Sequence, residues 1–345
     1  MSKLGRMRPP VSRVLSLDAG TRSIKMLLAE SDFGRLRIAK EEFLDLQEEG
    51  LLSADEIKTH LHAVIEEWGR PPVALVLPQH VSISQVIDLP SAPESEVEKM
   101  IREETLKLGG VSETRIIYDF VRTEIPGKQR QQFWVTLCQE GDIRERINRH
   151  GLEHDDLCEV TTTANALMAA FRHAAPDAAR TVLIHLGAQS TLVMVLLAGQ
   201  GAYAASFPMG GDFFTRALAR QRNISEDAAE ALKRSKNLLA APDADVAFAG
   251  TVDGWVTELS QQLREWFDRN AGTEISTFDF IASGAGFDQP GLVEYLKASA
   301  GLELKPWPQP ANAGSPSPAK HFEAAFGAAL QALGHSAQPV SLLPE

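Results

Sequence analysis

The stretch RVLSLDAGTRSIKMLLAE, residues 13–30, sets two apolar runs, 14–17 and 24–29, on either side of the polar turn Asp18-Ala19-Gly20-Thr21-Arg22-Ser23. The runs predict two strands of a hairpin. Asp and Gly suit tight reversals for backbone reasons alone. The same residues can also hold a phosphate. Small side chains let backbone N–H groups approach an anion, and the Asp addresses its magnesium. On this stretch alone both readings stay open.

Working outward, the bulk of the chain bounds the answer. Its 345 residues exceed what one hydrophobic core usually accommodates, so two domains are expected. With 44% hydrophobic and 23% charged residues, the composition is that of an ordinary globular protein. A net charge of −12 argues against nucleic acid or anionic lipid as a direct partner. Cys138 and Cys158 are too few for a disulfide framework or a tetrahedral zinc site, which fits a reducing, cytoplasmic setting. The basic start MSKLGRMRPPVSR lacks the apolar core of a targeting signal and reads as a flexible leader. Residues 182–205 are the most membrane-like, but His185, Gln189, Ser190 and Thr191 interrupt them, so two buried strands joined by a turn are expected there.

Along the chain, 53–68 predicts a helix with a Ser53/Glu56 capping box, and 72–78 predicts a central buried strand. Residues 81–158 read as a small α+β module: a strand, an amphipathic helix ending at Gly109-Gly110, two strands around the turn 125–130, and a helix. From Thr181 the opening theme returns. VLIHLGAQSTLVMVLLA is again apolar strand, polar glycine turn, apolar strand. A Gly210-Gly211 turn leads into a helix, Ser225 caps the next, and Ser283-Gly284-Ala285-Gly286 forms a third glycine turn between strand and helix. Two such halves can face each other across a cleft, with their hairpin tips approaching one ligand.

These parts together resemble the actin-like ATPase superfamily over nearly the whole chain. LDAGTRSIK looks like its first phosphate motif, IHLGAQST like its second, and FIASGAGFDQPGLVEYL like its adenosine motif. AEALK resembles the helix whose Glu and Lys approach ribose and base, matching Glu230 and Lys233. IDLPSAPESEVEKMIREETLKL followed by IIYDF, and FPMGGDFFTRALA, are similar to the PilM family of type IV pilus assembly within the FtsA and PilM branch. The resemblance implies an α/β actin-like fold of two duplicated ribonuclease H-like lobes with an inserted α+β subdomain in the first. The expected division is 1–80 plus 159–178 for the first lobe, 81–158 for the insert, 179–335 for the second lobe and 336–345 for a flexible tail.

It further implies ATP and Mg2+ bound at Asp18 (the metal side), Gly20, Thr21, Arg22, Gly187, Ala188, Gln189, Gly210, Gly211, Glu230, Lys233, Ser283, Gly284 and Gly286. The implied role is a cytoplasmic adapter held at the inner membrane by the tail of a PilN-like protein, with no direct membrane insertion. In that family the partner's tail is an Asn-Leu-Leu-Pro type peptide that lies in a groove on the first domain.

Two positions depart from the pattern. His185 stands where an Asp is expected, removing a carboxylate that would hold hydrated magnesium or orient water. Gly-Ala-Gly at 284–286 replaces a Gly-Gly pair, so Ala285 is expected to crowd a close approach. Weak nucleotide binding and little hydrolysis follow, with no catalytic residue assigned. His185 itself reads best as a buried, hydrogen-bonded core histidine, and Lys25 as a plain strand residue. The alternatives are an active ATPase or small-molecule kinase of the same fold, or an FtsA-like filament protein. The latter needs a basic amphipathic helix, and HFEAAFGAALQALGHS reads instead as a helix packed on the second domain. Finally, PVSLLPE at 339–345 resembles the partner peptide itself, so the segment reads either as disordered or as the occupant of a peptide groove in its own chain or a neighbour.

Overall fold

The computed structural model describes residues 11–46, 53–109, 115–123, 131–270, 273–310 and 314–344. Residues 1–10 of the expected leader, Gly110 and the turn 125–130 lie outside them. The chain divides into two compact units, Met1–Ala178 with Leu197–Ala202 and Pro308–Glu345, and Ala179–Leu196 with Tyr203–Trp307.

In the first unit the opening hairpin is β1 (Arg13–Ala19) and β2 (Ser23–Asp32), antiparallel, followed by β3 (Arg35–Asp45). Helix α1 (Ala54–Glu67) carries the expected capping box. The Ser53 N–H donates to Glu56 Oε2 at 2.7 Å and Ser53 Oγ accepts from the Glu56 N–H at 3.3 Å. Strand β4 (Val73–Leu77) is buried along its whole length because it lies inside the sheet, parallel to β1.

Next come β5 (Ser82–Leu89), α2 (Glu94–Leu108), β6 (Ile116–Thr123), β7 (Gln131–Gln139) and α3 (Glu140–Arg149). The three strands form a separate antiparallel sheet, β5-β7-β6, with a core of Ile87, Leu89, Val97, Ile101, Phe120, Phe133 and Val135. Strand β8 (Leu157–Thr162) completes the five-stranded sheet β3-β2-β1-β4-β8, and α4 (Thr163–Ala174) follows. Buried polar bonds tie the small sheet to α4. Trp134 Nε1 donates to Asn165 Oδ1 at 2.8 Å, and Asn165 Nδ2 donates to Thr136 Oγ1 at 3.1 Å.

The second unit repeats the plan. Residues 182–205 fold into β9 (Arg180–Leu186), β10 (Thr191–Leu197) and most of β11 (Gln200–Phe207), as their polar interruptions predict. Helices α5 (Gly211–Arg222), α6 (Glu226–Ser235) and α7 (Val246–Arg269) precede β12 (Asp279–Ser283), α8 (Leu292–Ala300) and β13 (Leu304–Lys305). The order β11-β10-β9-β12-β13 has the same topology as the first sheet. The apolar stripe of α7, including Phe248, Val252, Trp255, Leu259 and Leu263, is buried at helical spacing. Among the described residues no helix is long and apolar enough to cross a membrane.

Two expectations are corrected here. Helix α9 (Glu323–Ala332), expected in the second lobe, belongs to the first unit, where it packs on α4 and on β1, β2, β4 and β8. Its small residues allow that. A Cβ on Gly327 would sit 1.8 Å from the Ala166 carbonyl oxygen, so the two helices meet backbone to backbone. The segment expected as a flexible tail is also packed. Val340 and Leu342 are 0% exposed, and the Leu342 N–H donates to the Val160 carbonyl of β8 at 2.7 Å. Leu342 joins the first unit's core and Leu343 packs against it, while the backbone meets the sheet's outer strand. The segment is seated in its own chain.

Candidate functional site

The candidate residues fall in both units, and each group has its own local geometry. In the first unit Asp18, next to the end of β1, stands directly opposite Lys25 on β2. Lys25 Nζ lies 3.5 Å from Asp18 Oδ2 and 3.3 Å from Ser23 Oγ, a loose cross-strand ion pair that partly neutralises the carboxylate. The Gly20 N–H closes the turn onto the Ser23 carbonyl at 3.0 Å, and the Arg22 carbonyl accepts from the Leu46 N–H at 3.0 Å. Gly20 and Thr21 are exposed at the tip and Arg22 is half-buried. Lys25 is therefore more than a strand residue. The signal was its position, seven residues after Asp18 across a short hairpin. Its charge also reaches Glu323, at the buried start of α9, whose carboxyl burial pushes up against the opposing pull of its own N–H, of His321 and of Lys25.

In the second unit the structure brings three groups together. The hairpin tip closes through the Gly187 N–H to the Ser190 carbonyl at 3.0 Å. Its carbonyls then receive the start of α5. The Gly211 N–H donates to Gly187 O at 2.9 Å and the Asp212 N–H to Ala188 O at 2.8 Å. The Phe213 N–H turns back to Gly210 O at 3.0 Å. Gly210 is required by this contact, because a Cβ there would lie 2.4 Å from Ala188 O. Gln189 remains exposed at the tip.

Glu230 and Lys233, one turn apart on α6, face α5 and not open solvent. Lys233 Nζ lies 2.7 Å from Glu230 Oε2, and donates to Thr215 Oγ1 at 2.7 Å and to the Gly211 carbonyl at 3.0 Å. Thr215 donates to Glu230, and Arg234 Nε donates to Glu230 Oε1 at 2.7 Å. Burial works against the Glu230 charge. The Lys233 ammonium and the hydrogen bonds from Lys233, Thr215 and Arg234 outweigh it and hold the carboxyl down to about 2. Thr215 and Arg234 were not singled out from sequence. The available signal was Thr215 four residues after Gly211, on the face that α6 covers.

The third turn packs beside the hairpin. Ser283 is in parallel register with His185, and His185 Nδ1 and Ser283 Oγ are 3.1 Å apart, so the histidine is hydrogen-bonded as expected, but it is half-buried where a buried one was expected. Gly284 adopts φ +89°, and a Cβ there would sit 2.5 Å from Leu186 O. A Cβ on Gly286 would sit 2.3 Å from Leu186 Cγ. The glycines serve packing against β9. The Ala285 methyl, expected to crowd a close approach, is exposed.

ATP and magnesium, which the resemblance implies, fit this set poorly. A helix start binds an anion through free N–H groups, and the first three of α5 are already donated to backbone carbonyls. Lys233 is committed to the α5–α6 junction. Among the described residues no group of three His, Cys, Asp or Glu could hold a metal on its own.

The comparisons with known proteins bear on the fold and the family. A search of curated proteins returns no match. A solved structure described as a PilM-PilN type IV pilus biogenesis complex is similar at a TM-score of 0.70 and 21% identity, covering 94% of this chain and 99% of that chain. The ethanolamine utilization protein EutJ from Carboxydothermus hydrogenoformans is similar at a TM-score of 0.50 and 13% identity, covering 94% of this chain and 90% of that one. Both likenesses agree with the duplicated actin-like plan. The family model described as type IV pilus assembly protein PilM matches residues 16–305, from the first hairpin to β13, and the chain therefore belongs to that family and has the actin-like ATPase fold.

Proposed function

We propose that the protein is a cytoplasmic adapter of a type IV pilus assembly platform. It docks the cytoplasmic tail of a PilN-like inner-membrane protein and is held at the membrane by that contact. ATP and Mg2+ are bound weakly and are not turned over efficiently. Within the first unit, residues 81–158 act as the inserted subdomain.

The observation that carries this reading is the family match over residues 16–305. The similar structure that is itself a PilM-PilN complex supports the partner class. Weak nucleotide binding is supported by the spent N–H groups of α5, by Lys25 beside Asp18, and by an imidazole at position 185 where a catalytic carboxylate would stand. Calorimetry with magnesium-ATP, then with a peptide from the PilN-like tail, tests it. Peptide binding with negligible phosphate release is expected. Rapid turnover without any peptide binding overturns it.

A further inference from the structure

Beside its core stripe, α7 carries a second apolar face that the fold leaves partly uncovered. Val256, Leu263 and Phe267 recur there at helical spacing and line one wall of a cavity of about 420 Å3 within the second unit. The facing wall is built by Ile275, by Phe280 of β12, and by Leu302, which follows the end of α8 at Ala300 and precedes β13. Val256, Phe267, Phe280 and Leu302 are only half-buried, and Ile275 is 48% exposed. Apolar side chains thus converge without shielding one another from water, an unfavourable arrangement that an apolar occupant relieves.

Three hydrogen-bond donors line the same cavity. Ser260 and Arg264 stand one turn apart on α7, and Thr273 comes from the segment before Ile275. Among the described residues, the Ser260 hydroxyl, the Thr273 hydroxyl and the Arg264 guanidinium have no hydrogen-bond or ion-pair partner. Arg269, on the same helix, does pair, with Glu265 at 3.3 Å. Asp268, one turn beyond Arg264, is exposed and makes no ion pair with it. The acids flanking the facing wall are already taken: Lys305 lies 2.6 Å from Asp279, and Lys297 lies 2.7 Å from Glu303.

Apolar walls with a few placed polar groups are the composition of a small-molecule site, and the volume lies at the lower end of the usual range of about 300–1,000 Å3. The polar groups set the ligand's charge. A guanidinium fork joined by hydroxyl donors suits a group that only accepts, and the planar fork matches the two oxygens of a carboxylate. One free cation balances one negative charge. A phosphate carries more, and the excess would go uncompensated in a chain whose net charge is −12.

We infer that this cavity binds a small amphipathic monocarboxylate, with its aliphatic body against Val256, Phe267, Phe280 and Leu302 and its carboxylate on Arg264. Ser260 and Thr273 supply the remaining donors. The site shares no residue with the glycine turns, with Asp18 or with the α5–α6 junction, and it stands or falls separately from the adapter reading.

The test is titration calorimetry of the full-length chain with octanoate and with octanamide, its neutral isostere, repeated on Arg264→Gln and on Val256→Trp, whose indole fills the cavity. Octanoate should bind once per chain and at least tenfold tighter than octanamide. Arg264→Gln should weaken octanoate about tenfold and leave octanamide unchanged, and Val256→Trp should abolish both. Absence of octanoate binding, an octanamide affinity equal to or above that of octanoate, an octanoate affinity unchanged in Arg264→Gln, or binding that survives Val256→Trp overturns the inference. Should Val256→Trp fail to fold, hydrogen exchange of the unaltered chain decides the location. Saturating octanoate should slow exchange in 256–267 and 273–281, and slowing elsewhere only, or none, overturns the assignment.

Discussion

At the residue scale, the junction of α5 and α6 shows how a motif can keep its spelling and change its work. Glu230 and Lys233 have the spacing that would bring both toward a nucleotide, yet they pair with each other, Lys233 donates to the Gly211 carbonyl of α5 and Glu230 accepts from Thr215. Breaking a buried ion pair by removing one charge typically costs about 3–5 kcal/mol. Glu230→Gln should therefore lower stability by about 3 kcal/mol near neutral pH. The sign with pH follows from the depressed carboxyl. Its contribution is fully present above the ordinary carboxylate value and is lost as pH falls toward about 2. Urea melts at a series of pH values should show the unaltered chain and Glu230→Gln converging on acidification; parallel curves would count against the assignment. The i,i+3 pairing was legible in the sequence. Its direction was not, because Thr215 and the Gly211 carbonyl come from a different helix.

At the scale of elements, two glycines in helices make the same point. Gly327 in α9 has no room for a methyl group, since a Cβ would overlap the Ala166 backbone of α4. Gly254 in α7 is exposed and has nothing within 4 Å of its would-be Cβ. Overpacking typically costs about 1–3 kcal/mol, whereas Gly to Ala in an open helix gains up to about 1 kcal/mol. Gly327→Ala should lower the melting temperature and Gly254→Ala should raise it, in the same thermal scan. The capping box of α1, the buried run of β4 and the repeated hairpins could all be read locally, because caps, periodicity and turns depend on residues a few positions apart. The allegiance of α9 could not. An alanine-rich helix advertises that something packs closely on it, and only the fold shows that this is α4.

At the scale of the whole molecule, a net charge of −12 bears on whether the chain binds an anionic membrane directly. Like charge repels an anionic bilayer at distances shorter than the Debye length, about 8 Å at physiological salt. In vesicle flotation with phosphatidylglycerol-containing liposomes the chain should stay with the soluble fraction. It should float once a PilN-like tail is anchored to the vesicles. Flotation with bare liposomes would contradict the adapter reading at its membrane step.

The sequence by itself determined the duplicated strand-turn-strand halves, the family and the residue types at each glycine turn, because these are written in short-range pattern and in motifs strung along one chain. Tertiary structure alone decided that Lys233 is spent inside the second unit, and that α9 and residues 338–344 complete the first. Each of those outcomes depends on which free N–H, carbonyl or apolar socket a group meets far along the chain, 222 positions apart in the case of Asp119 and Ser341. No local preference encodes such a meeting.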